Sequence, residues 1–259
     1  MTRLKLLFFD IETAPRLAAI WHPAQRYINY EQMVEDDFLL TWSAKWEGAK
    51  TVMSARLTRK EVLAQDDTRI MRSLADLVRY ADVVVAHNGD QFDLKRLNAR
   101  VVFHQDEPLG PYESIDTLRL AKQNFSLPYY KLDYLAQHWD LGEKVDTDMQ
   151  LWIDCYHGDV AALKEMEEYN KHDVILLEKI FQYMRPYVRR LKRLFDGEHD
   201  WHIICPNCGA EGIENFQRRG YYRTQASTFA KFQCKNKDCR RYTRSRVSEK
   251  RMRTKLYPL

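Results

Sequence analysis

Asp10 and Glu12 stand two positions apart in Leu-Leu-Phe-Phe-Asp-Ile-Glu-Thr, directly after the apolar run Leu6 to Phe9. Such a run reads as a buried strand, and in a strand positions i and i+2 point to the same side. The two carboxylates then repel each other unless something positive lies between them. A hard divalent cation is the natural occupant, because Mg²⁺ and Mn²⁺ take oxygen ligands. Two further acids close segments with their own signatures. Asp93 ends His87-Asn-Gly-Asp-Gln-Phe-Asp93, and Asp173 ends Tyr169-Asn-Lys-His-Asp173. Tyr169 and Asp173 are four apart in a helical pattern, which puts phenol and carboxylate on one face, one turn from each other. With a reference pKa of about 10, the phenol is better suited to orienting a water than to deprotonating it. His172 points elsewhere on the same helix. Taken alone, Asp93 reads equally well as the N-cap of a helix starting at Leu94. Asp10 and Glu12 are harder to dismiss, since charges placed directly after a buried run are costly to bury unpaired.

A second cluster is made of thiols. Cys205-Pro-Asn-Cys208 and Cys234-Lys-Asn-Lys-Asp-Cys239 are closely spaced pairs with 25 residues between them. Four thiolates satisfy tetrahedral Zn²⁺ and leave no open position, so the expected role is structural. A module of some forty residues buries little core, and metal binding would supply much of its folding free energy. Cys155 is left over and reads as a buried, inert thiol. Basic and aromatic residues alternate around the pairs, in Arg218, Arg219, Tyr221, Tyr222 and Arg223, and again in Arg240, Arg241 and Tyr242. That mixture suits phosphate contacts combined with base stacking; protein docking is the alternative.

These segments carry a resemblance. Phe-Asp-Ile-Glu-Thr, His-Asn-Gly-Asp-Gln-Phe-Asp and Tyr169-x-x-x-Asp173 resemble, in order, the three motifs of the DEDD 3′–5′ exonucleases of the ribonuclease H-like superfamily, tyrosine branch (DEDDy). Ser114-Ile-Asp-Thr-Leu118 and Tyr130-Lys-Leu-Asp-Tyr-Leu-Ala136 are similar to stretches of the proofreading domains of family B DNA polymerases. Together they cover roughly residues 4 to 184. The resemblance implies a mixed five-stranded sheet flanked by helices, with the first motif's strand near its centre, and a two-metal site. Asp10 would bridge two Mg²⁺ or Mn²⁺ ions and Glu12 would bind the ion carrying the attacking water. Asp93 would hold the second ion and Asp173 would complete the first ion's shell. Thr13 and Asn88 become candidates for contact with substrate and Asp116 for a supporting role, while Gly89, by its residue type, is expected to serve the turn. The cysteine segment resembles a zinc ribbon.

The elements that must position these groups are partly legible. Strands are expected near 4–10, 38–46, 51–55, 82–87 and 112–117, and helices near 68–80, 92–103, 131–139 and 159–182. Strands followed by alternating helices and strands indicate an α/β layer fold, whose strand order the pattern does not give. Residues 21–37 show no firm period. Trp21, Tyr27 and Tyr30 within them are expected to pack locally, with base stacking as the alternative. A boundary near Asp196–Asp200 divides the chain into a catalytic domain, 1–195, and a basic zinc-ribbon module, 200–259.

Charge follows the same division. Residues 200–259 hold 14 Lys and Arg against 5 Asp and Glu, which leaves 27 against 32 in residues 1–199. A basic tail on an acidic body points to a polyanionic partner. No apolar run approaches bilayer length and the N-terminal one is too short for a signal peptide, so a cytoplasmic location is the default expectation. The leading reading is a metal-dependent 3′–5′ exonuclease releasing nucleoside monophosphates from single-stranded DNA or frayed ends, with a replication or repair protein as a further partner of the ribbon. A structure-specific endonuclease on the same fold and a nucleic-acid-binding adaptor are the alternatives. DNA against RNA stays open, because contacts to the 2′-OH are a matter of geometry.

Overall fold

Leu6 to Phe9 are four consecutive large apolar residues, and only a strand buried on both faces accommodates them. In the computed structural model, which describes residues 5–142, 147–188, 205, 207–224, 227–237 and 239–245, they open the central strand of a sheet. In chain order the elements are β1 (Leu6–Thr13), the short ribbon β2 (Leu17–Ala18) and β3 (Met33–Glu35), β4 (Leu39–Trp46), β5 (Met53–Arg56), α1 (Arg59–Leu63), α2 (Thr68–Tyr80), β6 (Val83–Ala86), α3 (Asp93–Phe103), β7 (Glu113–Asp116), α4 (Thr117–Asn124), α5 (Leu132–His138), α6 (Met149–Tyr156) and α7 (Val160–Met184). The large sheet runs β5-β4-β1-β6-β7. β4 and β5 join antiparallel, and β6 and β7 run parallel with β1. This is the mixed five-stranded sheet that the resemblance implied.

Each face of β1 has its own cover. Leu7, Phe9 and Ile11 enter a core shared with Ile70, Met71 and Leu74 of α2 and Leu97 and Val101 of α3. Leu6, Phe8, Asp10 and Glu12 point to the other face. There the ring of Phe181, on α7, meets Phe8 edge-on at 5.3 Å. Two acids pin α7 to the antiparallel half of the sheet. Glu167 accepts from Ser54 Oγ (2.6 Å) and Arg56 Nε (2.9 Å), and Glu178 pairs with Lys45. Asp159 starts α7 by accepting from Ala162 N at 2.8 Å, the N-cap role that leaves fewer orphan donors.

The expected helices match α2, α3, α5 and α7 closely. α1, α4 and α6 were not anticipated, and the last two begin at an aspartate cap. Asp116 Oδ1 accepts from Leu118 N (2.9 Å) and Arg119 N (3.2 Å), and Asp148 Oδ1 accepts from Leu151 N at 3.3 Å. Asp116 Oδ1 also accepts from Asn88 N at 3.0 Å, tying the loop after β6 to the start of α4.

The chain divides into two compact units, Met1–Tyr183 and Met184–Leu259. The boundary expected at 196–200 lies outside the described residues. The second unit contains a three-stranded antiparallel sheet of order β10-β9-β8, made by β8 (Phe216–Arg223), β9 (Thr228–Cys234) and β10 (Tyr242–Arg244). Its four cysteines are compatible with a zinc ribbon. Among the described residues no helix is long and apolar enough to cross a membrane.

The loop between β6 and α3 reverses the chain in six residues, and its two small-turn residues divide the work differently from expectation. Asn88 takes the positive φ, +66°, a conformation that asparagine tolerates better than most residues. Gly89 is needed for space instead: a Cβ there would lie 2.4 Å from Ala86 Cβ. Gly89→Ala is therefore expected to destabilise the protein by about 1–3 kcal/mol, the cost typical of overpacking. Urea unfolding monitored by far-UV circular dichroism reads it, and an unchanged midpoint would refute the steric argument.

Candidate metal-binding and nucleic-acid site

Asp10 and Glu12 lie within β1 and not at its tip. β4 continues to pair with them, Asp10 opposite Ser43 and Glu12 opposite Thr41, after the ladder to β6 has stopped at Phe8. One edge of β1 is thereby released from the sheet exactly where the charges stand. Asp93, the first residue of α3, occupies that edge. Its Oδ1 accepts from Ile11 N at 3.1 Å, in place of a strand partner. The N-cap position of α3 falls on Phe92, so Asp93 is not the cap that its sequence context allowed.

From the other side α7 delivers Asp173, which is buried. One carboxylate oxygen from each of Asp10, Glu12 and Asp173 lies within 4.8 Å of the others. Asn170, three residues before Asp173 and fully buried, donates from Nδ2 to Asp10 Oδ2 at 2.6 Å. Asn170 Oδ1 is buried without a hydrogen-bond partner among the described residues, the kind of orphan that an ion or water satisfies. Asn170 was not singled out from sequence; the signal was its place inside Tyr169-x-x-x-Asp173, on the Asp173 face of the helix. Tyr169 is buried too, and Trp152 of α6 meets its ring edge-on at 5.9 Å and 79°.

An oxygen-only donor set, two members half-buried and one buried, fits a hard dication such as Mg²⁺ or Mn²⁺. Asp93 stands next to this set and outside the 4.8 Å group. Burial lifts its carboxyl to about 7; its own amide and Ile11 N oppose the rise by hydrogen bonding, and the charge of Asp116 adds to it.

A pocket of about 500 Å³ is lined by Thr13, the residue after Glu12, and by Arg16, Asp37, Arg96, Asp148 and Trp152 among others. Thr13 is thus placed against a cavity, as a residue in contact with substrate must be. Arg16 pairs with Asp36 (2.7 Å) and Asp37 (3.1 Å), and Arg96 pairs with Asp37. The two arginines escaped notice in the sequence because neither belongs to a motif. Asn88 serves the turn through its backbone. Tyr130 also packs structurally: its hydroxyl donates to Phe125 O at 3.0 Å and accepts from Leu127 N at 3.1 Å.

Residues 7–185 match the sequence profile of the RNase_H superfamily. The chain belongs to this superfamily. A solved structure of the family B DNA polymerase from the hyperthermophilic archaeon Pyrobaculum calidifontis superposes on 73% of this chain with a TM-score of 0.55 and 16% sequence identity. That match takes in 26% of the polymerase chain, so the likeness is one of fold, over about a quarter of its length. No curated protein matches the chain.

Cys155 lies in the core of the RNase_H superfamily domain, where burial pushes its thiol up to about 12 and the carboxylates of Asp154, Asp159 and Glu165 add to the rise. The other four cysteines converge in the second unit, their Sγ atoms all within 4.8 Å of one another. Cys205 and Cys239 are 3.8 Å apart at sulfur, and Cys208 and Cys234 are 3.7 Å apart. A tetrahedron with Zn–S bonds of about 2.3 Å has edges of about 3.8 Å, so the donors fit Zn²⁺. Among the described residues, a core cluster of this unit is formed by Cys205, Phe216 and Cys234, with Ala210, Phe232 and Cys239 packed against it.

A bulge between Arg218 and Tyr221, with Gly220 at φ +84°, sorts the basic and aromatic residues of this unit onto two faces. Arg218, Tyr221 and Arg223 share one face, with the guanidinium of Arg218 5.3 Å from the centre of the Tyr221 ring. Tyr222 lies on the other, with Phe229, Lys231, Tyr242 and Arg244. There Arg244 sits 3.8 Å above Phe229 and 5.7 Å from Tyr222, and Lys231 is 4.5 Å from Tyr242. Arg219 donates to Gln233 Oε1 at 3.1 Å, and Arg240 and Arg241 are exposed just before β10.

Two outcomes follow from these environments. The folded Asp93 carboxyl keeps its proton up to about 7, whereas the unfolded chain releases it near 4. Folding therefore takes up a proton between these limits, and stability falls as pH rises through them. Asp93→Asn keeps an oxygen for Ile11 and carries no charge. It is expected to raise the thermal midpoint in EDTA at pH 8 and to leave it nearly unchanged at pH 4; an equal shift at both would remove the electrostatic cause. For the thiols, metal analysis of the purified protein is expected to find one zinc per chain. Cys234→Ser should abolish it and erase the amide resonances of the second unit's sheet, and a metal-free protein with those resonances intact would refute the zinc assignment.

Proposed function

We propose that the protein is a metal-dependent 3′–5′ exonuclease acting on single-stranded DNA or frayed ends, with residues 200–259 as a zinc-ribbon module that retains the strand. The observation that carries this reading is the meeting of Asp10, Glu12 and Asp173 oxygens within 4.8 Å, with Tyr169 one helical turn before Asp173. A surface cluster of acids has no need of a buried tyrosine, nor of a buried amide bonded to one of its members. Two dications held by Asp10, Glu12, Asp93 and Asp173 would supply an acidified water and offset the charge gathering on the phosphate and the leaving oxygen.

The chain's own groups do the positioning. Asn170 holds Asp10 in place through the hydrogen bond to Oδ2. Trp152 walls Tyr169, so that the phenol is presented from a rigid helix and not from a loop. The phenol is placed to orient the attacking water by hydrogen bonding. Thr13 and the pocket next to it receive the terminal nucleotide, and the adjacent wall of Trp152 limits how far the strand can advance. The ribbon's Lys and Arg contact phosphates and its exposed tyrosines stack on bases, which suits capture without sequence preference.

Purified protein with 3′-labelled single-stranded DNA in Mg²⁺ or Mn²⁺ tests this. Asp10→Ala and Asp173→Ala are expected to lose hydrolysis by roughly 10²–10³-fold or more, with binding retained. Tyr169→Phe should lose a factor on the order of 10². Asn170→Ala, which frees the Asp10 rotamer, should cost roughly 10–100-fold, partly recovered at high metal concentration. Wild-type rates in the aspartate variants would end the site assignment. Cleavage of circular single-stranded DNA would replace the exonuclease by an endonuclease.

A further inference from the structure

Between β1 and β4 the chain forms an arm whose largest rings face water. Trp21, Tyr27 and Tyr30 are 97%, 84% and 91% exposed, contrary to the expectation that they pack locally. The backbone beneath them is nevertheless tied down. β2 pairs with β3, Leu17 opposite Glu35 and Ala18 opposite Met33. Gln32 Nε2 donates to Ala19 O at 2.9 Å, and Gln32 Oε1 accepts from Asn29 N at 3.0 Å and from Gln25 Nε2 at 2.8 Å. Gln25 Nε2 also donates to Tyr27 O at 2.6 Å. Glutamine amides, then, give this segment its shape, and the aromatic rings contribute nothing to it. Rings left in water by a framework that does not use them mark a surface awaiting a partner.

The position of the arm narrows the partner. Thr13, Ala14, Pro15 and Arg16, which directly follow Glu12, line the pocket, and Leu17, the next residue, begins the arm. Residues 17–35 carry Arg26 against Glu31 and Glu35, so it is the rings and not charge that would recognise a nucleic acid here. Flat rings set among Gln, Asn and His residues suit unpaired bases, because every base has a stacking face. Paired bases are already stacked and offer none.

We propose that the arm from Leu17 to Glu35 is a stacking platform for the unpaired bases of a single strand whose end occupies the pocket beside Glu12. The choice of ligand rests on the nuclease reading. The arm selects for single strands by a mechanism independent of the carboxylates, and it acts on nucleotides upstream of the one cleaved.

The test compares Trp21→Ala/Tyr27→Ala/Tyr30→Ala with the matching triple phenylalanine variant, in the full-length protein. Neither should disturb folding, since the rings are solvated. Binding of a fluorescein-labelled oligothymidylate in EDTA is expected to weaken on the order of 10²-fold in the alanine variant and to stay near wild type in the phenylalanine variant. Binding of a blunt duplex and turnover of the p-nitrophenyl ester of thymidine 5′-phosphate, too short to reach the arm, should be unchanged in both. Unaltered oligothymidylate binding in the alanine variant would overturn the proposal, as would a loss of self-association in sedimentation with binding intact. If the wild type binds through its rings but hydrolyses neither substrate, the platform stands and the nuclease reading falls.

Discussion

The site exists because β6 is short. β1 is eight residues long and β6 is four, and their ladder ends at Phe8. Beyond that point the hydrogen-bonding groups on one edge of β1 need other partners, and a buried amide without one is expensive. Asn88 supplies the positive φ that breaks β6, Gly89 lets the chain turn tightly over Ala86, and α3 returns with Asp93 at its first position. The carboxylate that satisfies Ile11 is thus also brought beside the group formed by Asp10, Glu12 and Asp173. A longer β6 would have satisfied the same amide and shut the carboxylate out. Sheet geometry and site chemistry are here one constraint.

α7 answers the opposite need. Carboxylates gathered at one place drive their supports apart, and something must hold α7 to β1 against that repulsion. The clamp is distributed along the helix: the Phe181 ring against Phe8, and Glu167 and Glu178 bridged to Arg56 and Lys45 on the antiparallel strands. These contacts lie toward the ends of the stretch that carries Asn170 and Asp173, so the repulsion falls between two anchors. Asn170 adds attraction at the centre by neutralising part of the Asp10 charge through a hydrogen bond.

How much of this could be read beforehand depended on the kind of signal. The β-branched run of β6 and the amphipathic stretches of α2, α3 and α7 have strong periods, and they lie close to where they were expected. Spacing put Asp10 and Glu12 on one side of a strand; that Asp173 meets them within 4.8 Å was legible only through the resemblance. The place of Asp93 outside the tight group was not legible, because it follows from where a ladder ends, which is a property of two strands at once. Nor was the division of basic residues in the second unit. A bulge at Gly220 shifts the alternation of β8, so Arg218 and Tyr221, three positions apart, share a face that a strict period of two would deny them. The arm failed for a third reason: its framework is made of side-chain amides, which leave no hydrophobic period.

Charge divides the labour of binding under the proposed reading. Residues 1–199 carry an excess of acid, and a phosphodiester approaching them is repelled except at a site where cations collect. Affinity for the strand must then come from terms that do not depend on the body's net charge. Stacking is one, insensitive to salt because it releases few counterions. The basic tail is the other, and its contribution falls steeply as salt rises. A protein using both holds a single strand at low salt by its tail and at high salt by its rings, and it discriminates against duplex only through the second. Selectivity for unpaired ends should therefore sharpen as ionic strength increases, even while total affinity declines.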